Sequence, residues 1–152
     1  MDARYFEDYA PGTLFEGGPI VVDESEIIAF ARRYDPQSFH TDPTAAASSA
    51  FGGLVASGWH TAAMAMRVLV ERYLSEASSL GSPGIDELRW LRPVRPADEL
   101  QVRVTVLDAR RSRSKPDRGL VRSSIEVSNQ CGERVLTMVA LYLILLRDPG
   151  ER

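Results

Sequence analysis

The sequence predicts a single α+β domain in which an antiparallel sheet wraps around one central apolar helix. Three observations carry that expectation. The 152 residues are one domain's worth of chain, which on folding hides about 70% of the surface its unfolded form exposes. Apolar residues follow a helical period in the first half and alternate in the second, the two patterns that separate helix from half-buried strand. Between the halves, Trp59 to Leu69 is apolar on most faces and rich in Ala and Met, as a helix buried on several sides should be.

Thr13 to Val22 reads as a weak or bent first strand, because Gly17-Gly18-Pro19 interrupts it. A helix follows, capped by Asp23, with Glu26 three residues on in a capping-box arrangement. Its residues Ile27, Ile28, Phe30 and Ala31 fit one buried face. Asp35-Pro36 ends it, since the residue before proline is pushed out of the helical region. Asp42-Pro43 is a cap with proline at the first helical position, opening a short helix through Ala47. The central helix is expected from about Gly58 to Ser75, with Met64, Met66 and Leu69 in the core. Glu87–Val94, Leu100–Ala109, Leu120–Ser128 and Arg134–Leu146 read as strands. Val102, Val104 and Val106 alternate with Arg103, Thr105 and Leu107, which gives the sheet one buried face. Asn129 to Gly132 forms the hairpin turn between the last two strands. A long meander curled around a helix is the hotdog arrangement.

Composition removes whole classes of function. A chain 44% hydrophobic and 26% charged, with 11 Gly and 9 Pro, is neither disordered nor collagen-like. A net charge of −3 argues against a general nucleic-acid binder. That charge is unevenly spread: residues 1–88 hold 5 basic and 13 acidic side chains, residues 89–122 hold 10 and 4. The lone Cys131 cannot form an internal disulfide, which fits a reducing compartment. The first residues, MDARYFEDYAPG, lack the basic-then-apolar pattern of a secretory signal. The most apolar run, Val135 to Leu146, is about half the roughly 20 residues of a membrane span. The expectation is a soluble, cytoplasmic protein with neither nucleic acid nor membrane as partner. Two histidines and one cysteine do not make a zinc site of the usual ligand types. Neither a P-loop nor a G-x-S-x-G elbow is present. No metal and no separate cofactor is expected.

Chemistry concentrates in two stretches. In Asp35-Pro36-Gln37-Ser38-Phe39-His40-Thr41-Asp42 a carboxylate and an imidazole stand five residues apart across a loop between helix signals. Turned to one spot, they could share a water molecule, and histidine titrates near working pH. Phe51-Gly52-Gly53-Leu54-Val55-Ala56-Ser57-Gly58-Trp59-His60 places a glycine at the start of the buried helix. Free N–H groups and the positive dipole end there favour a developing oxyanion. Asp42 is most simply the cap of the next short helix, and His60 a packed, hydrogen-bonded histidine.

Both stretches, in this order, resemble the MaoC-like dehydratases and (R)-specific enoyl-CoA hydratases. The family motif reads D-x-N-P-x-H, usually followed by x-D, and Asp35, His40 and Asp42 stand at its positions. Val55-Ala56-Ser57-Gly58 resembles the stretch that opens the family's helix, and Leu91-Arg92-Pro93-Val94-Arg95-Pro96-Ala97-Asp98 resembles its F-x-x-P-V-x-x-G-D. The resemblance implies a hotdog fold, a homodimer or higher oligomer, and an acyl-CoA thioester as substrate, with coenzyme A only as part of it. It implies addition or removal of water across the 2,3 bond of an enoyl-CoA or 3-hydroxyacyl-CoA in fatty acid metabolism. Asp35 and His40 would be the catalytic pair, Gly58 N–H the oxyanion donor, and Ser57 a shaper of that site. Gln37-Ser38 replaces Asn-Pro, and Trp59-His60 adds bulk beside the glycine.

The basic stretch offers Arg110, Arg111, Arg113, Lys115 and Arg118 around one strand connection, where guanidinium forks suit the phosphates of coenzyme A. Two rival functions stay open. A non-catalytic acyl-CoA-binding or scaffold subunit would keep the loop for its shape. A hotdog thioesterase would need a carboxylate on or near the central helix, whose first carboxylate is Glu71, more than three turns in.

Overall fold

A computed structural model describes residues 2–150. Its elements are β1 (Leu14–Val21), α1 (Glu24–Tyr34), α2 (Ser38–Thr41), α3 (Pro43–Ala47), α4 (Gly58–Arg72), β2 (Gly84–Trp90), β3 (Glu99–Arg111), β4 (Arg118–Ser128) and β5 (Arg134–Leu145). The five strands form one antiparallel sheet in the order β1-β3-β4-β5-β2. Val102, Val104, Val106, Val121, Ile125, Val127 and Leu136 share one apolar cluster with Met64, Ala65, Val68 and Leu69 of α4. The sheet thus wraps the helix, the expected hotdog fold. Gly17 explains the broken look of β1: a Cβ there would lie 2.5 Å from Val68 and 2.8 Å from Arg72. Glycine lets the strand come close to the helix.

Four details differ from the sequence expectation. The second strand runs Gly84–Trp90 rather than 87–94, since Pro93 has no N–H for a ladder and the Val94 carbonyl accepts instead from Ala56 N. Ser38–Thr41 is a turn of helix where only a loop was expected. Asp23 caps α1 as expected, but its carboxylate accepts from Ser25 N, at 2.8 Å, rather than from the N–H three residues on that a capping box uses. The fourth concerns α4, which is not enclosed on all sides by its own chain. Met64 and Leu69 are buried, but Trp59, Met66 and Val70 are exposed, so Met66 is not a core residue. An open apolar stripe remains on the helix.

Candidate active site

Chain geometry brings the two chemistry-bearing stretches together. Asp35 ends α1 and His40 sits in α2. The extended run Leu54–Ser57 passes between α2 and the stretch after β2, donating from Val55 N to Phe39 O and from Ala56 N to Val94 O. The α4 helix then begins at Gly58. The result is a cavity of about 380 Å³ whose walls include Asp35, Gln37, His40, Gly58, Trp59 and Trp90.

His40 is buried, with its Nδ1 2.6 Å from the Val55 carbonyl oxygen. A carbonyl only accepts, so Nδ1 carries the hydrogen and the neutral ring keeps a lone pair on Nε2. That Nε2 lies 3.3 Å from Asp35 Oδ2. Two acceptors this close can both accept from one water lying beside the pair, at about 2.7–3.0 Å from each. Asp35 is itself held at both oxygens: Gln37 Nε2 donates to Oδ1 at 2.8 Å, and Ser57 Oγ donates to Oδ2 at 2.7 Å. Those bonds, Gln37's first, then Ser57's, with the nearby imidazole adding less, hold its carboxyl below the usual carboxylate range against partial burial.

Several expected residues take places of their own. Gly58 is the first residue of α4 and lines the cavity, and N–H groups of a helix's first turn have no acceptor within the helix. Ser57 precedes it at the cap position but makes no side-chain cap. Its hydroxyl serves Asp35 instead. Asp42 caps α3, accepting from Thr44 N and Ala45 N. His60 is buried as expected, yet among the described residues its Nδ1 has no hydrogen-bond partner. It stacks on Phe30 with centroids 4.8 Å apart, and burial pushes its pKa down, with Glu26 opposing. Cys131 is an exposed turn residue. Glu71 pairs with Arg67 on the exposed side of α4, away from the cavity.

The basic cluster does not join this cavity within one chain. Trp90 pairs with Leu136, whereas Arg118 pairs with Leu145, about nine residues or roughly 30 Å of strand away. Arg110, Arg111, Arg113, Lys115 and Arg118 therefore crowd the opposite end of the sheet, where Arg118 pairs with Asp117 at 2.8 Å. Sequence reasoning missed two contributors. Gln37 stood out only as a departure from the motif, although an amide two residues after Asp35 is well placed to reach it. Trp90 lies one residue before the Leu91–Asp98 stretch, and its partner Gly58 is 32 residues earlier. With Pro93-Val94 aligned, Trp90 takes the aromatic position and Ala97 the glycine position. Ala97 indeed adopts a left-handed φ of 69°.

Comparisons with known proteins bear on the family and the fold. The family model described as MaoC like domain matches residues 8–128. A solved MaoC-like dehydratase from Rhodospirillum rubrum is 42% identical, with a TM-score of 0.87 covering 96% of this chain and 99% of that one. The uncharacterized protein YdeM of Bacillus subtilis is 28% identical over 109 residues, 72% of this chain and 77% of that protein. The unliganded (R)-hydratase PhaJ1 of Pseudomonas aeruginosa, 23% identical, shares the fold with a TM-score of 0.76 over 95% of this chain and 86% of that one. From residue 8 to residue 128, then, motif, fold and family model coincide, and the chain belongs to the MaoC-like domain family.

Proposed function

We propose that this protein is a hydro-lyase that adds or removes water across the 2,3 bond of an enoyl-CoA or 3-hydroxyacyl-CoA thioester. The observation that carries the reading is the 3.3 Å approach of His40 Nε2 to Asp35 Oδ2 at the wall of a cavity that Gly58 also lines. In the hydration direction, water donates one hydrogen to Nε2 and one to Asp35. As its oxygen bonds to C3, Nε2 takes the first proton and the 2,3 π electrons move toward the thioester oxygen. The Gly58 N–H faces that oxygen as it gains enolate charge. The imidazolium, steadied by the Asp35 carboxylate, then delivers its proton to C2. Water has been added and both side chains are restored. Asp35 works here as a carboxylate, and its hydrogen bonds from Gln37 and Ser57 keep it one. Gln37, where the motif has Asn, keeps an amide donor on Asp35, so this departure does not weigh against a catalytic protein.

The test is the absorbance of an enoyl thioester panel, with free thiol followed in parallel. Asp35→Asn and His40→Gln should each lower turnover by about 10²–10⁴-fold without lowering the melting temperature. Near-normal hydration by both variants would remove the assignment. Thiol release without loss of the double bond would point to a thioesterase, and binding without turnover to a scaffold.

A homodimer completes the proposal. Among the described residues the outer edge of β2 has no strand beside it in the sheet order, and an open edge invites pairing. The β2 sequence suits its own copy: paired antiparallel about Glu87-Leu88, Ile85 faces Trp90 and Asp86 faces Arg89. The exposed Trp59, Met66 and Val70 of α4 offer the dimer further apolar area. Such a two-fold pairing also sets the second copy's β3–β4 tip at the cavity end of the first. Arg110, Arg111, Arg113, Lys115 and Arg118 of that copy are then the candidates for the coenzyme A phosphates. Sedimentation of an Ile85→Lys variant should shift toward monomer. Reversing the charge of the tip arginines should raise KM at low salt, and an unchanged KM would leave them a solvated face.

A further inference from the structure

Trp90 is the last residue of an edge strand, yet its side chain reaches the start of the central helix. Its indole Nε1–H donates to the Gly58 carbonyl at 2.8 Å. The ring lies so close that a Cβ at position 58 would fall 2.6 Å from Nε1 and overlap the indole. Gly58 is not among the glycines with a positive φ, so its backbone suits any residue. Glycine is needed there because the indole occupies the space of a side chain. The edge-on contact with Trp59, centroids 5.0 Å apart at 80°, fixes the plane of that ring.

The turn is therefore held from two sides. From α1, Asp35 accepts the Ser57 hydroxyl at 2.7 Å. From β2, Trp90 holds the Gly58 carbonyl and covers its Cα. The Gly58 N–H lies between these two attachments, and the peptide planes on either side of it set where it points. Helix ends fray when nothing outside the helix holds them, and a misplacement of about 1 Å at a reacting group can cost 10²-fold in rate.

We propose that Trp90 is a positioning residue for the reaction: by lying on Gly58 it fixes the first turn of α4, and with it the N–H that receives the enolate oxygen. This rests on the hydro-lyase reading. A ring that positions a transition-state donor affects kcat, whereas a ring that merely lines the cavity affects KM.

Trp90→Ala should lower kcat by about 10²-fold while KM moves by less than about threefold. Trp90→Phe, which keeps a flat ring over Gly58, should recover most of that kcat. Wild-type kcat in Trp90→Ala, or a loss confined to KM, overturns the proposal. Failure of Trp90→Phe to exceed Trp90→Ala overturns it as well. If the wild-type protein hydrates no enoyl thioester, the hydro-lyase reading fails and the clamp is judged by stability alone. Gly58→Ala should then lower the melting temperature in the wild-type background and leave it unchanged in Trp90→Ala. Equal losses in both backgrounds would show that the indole does not constrain the turn.

Discussion

His40 and His60 make an instructive pair, because exposure does not tell them apart: 6% for one and 7% for the other. Their neighbourhoods do. His40 has its Nδ1 on the Val55 carbonyl and its Nε2 toward Asp35, so the ring is oriented and its free lone pair aimed. His60 lies flat on Phe30 and leaves Nδ1 without a partner. A buried polar atom without a partner costs stability; a buried nitrogen aimed at a carboxylate can move a proton. Burial alone marks neither as catalytic. What each ring nitrogen faces decides.

The largest effect that could break this contrast is on turnover. With an enoyl thioester as substrate, His40→Gln should lose about 10²–10⁴-fold, and His60→Phe should stay within about threefold of wild type. A comparable loss in His60→Phe would mean that the second histidine also serves the reaction. One step smaller is Ser57→Ala, which removes a charge-assisted donor from Asp35. A hydrogen bond to a charged group contributes about 1.5–3 kcal/mol, so turnover near neutrality should drop about tenfold or more. The sign of the pH effect follows from the lowered Asp35 pKa. Activity is lost as pH falls through that pKa, and without Ser57 the pKa rises, so the acid limb should move to higher pH. An acid limb that stays in place would separate Asp35 ionisation from activity.

Next comes the stability contrast. Burial lowers the His60 pKa from 6.5, so the unfolded chain binds the proton more readily than the folded one. The stability from keeping His60 neutral is complete above the unfolded value and is lost as pH falls through the folded value. Melting temperature in wild type should therefore fall from pH 7 toward pH 5. His60→Phe keeps the stack on Phe30, removes the titrating group and should flatten that fall. Parallel curves for the two proteins would assign the acid sensitivity to another group.

Much of this was legible in the sequence, and the reasons differ from place to place. Asp35 and His40 could be read because five residues across a loop between two helices leave few ways to arrange them. The Val102-Val104-Val106 alternation gave β3 its buried face directly. Ser57 was read for its helix position, but its hydroxyl answers to a carboxylate 22 residues away, and no local rule reports such a contact. Trp90 stayed hidden for the same reason, since its partner Gly58 is 32 residues earlier. The place of the basic tip was not legible, because charge density is visible in a sequence while distance along a sheet is not. Met66 misled because an all-round apolar helix is enclosed only when something covers every side, and one side of α4 is open in a single chain.

The smallest expected effect calibrates the histidine contrast. Ala97 lies in neither histidine's surroundings, and its φ of 69° is a conformation that glycine adopts freely. The left-handed region costs a residue with a Cβ about 1–2 kcal/mol. Glycine in its place gives back roughly 0.4–1 kcal/mol through the greater freedom of the unfolded chain. The balance is a gain of about 0.5–1 kcal/mol for Ala97→Gly. Because no titrating group is exchanged, that gain should be the same at pH 5 and pH 7, lifting the whole curve without tilting it. His60→Phe should do the opposite, changing the tilt. If Ala97→Gly also changed the tilt, the acid sensitivity would belong to the turn that holds β3 against Val22, and the flattening in His60→Phe could no longer be assigned to the imidazole.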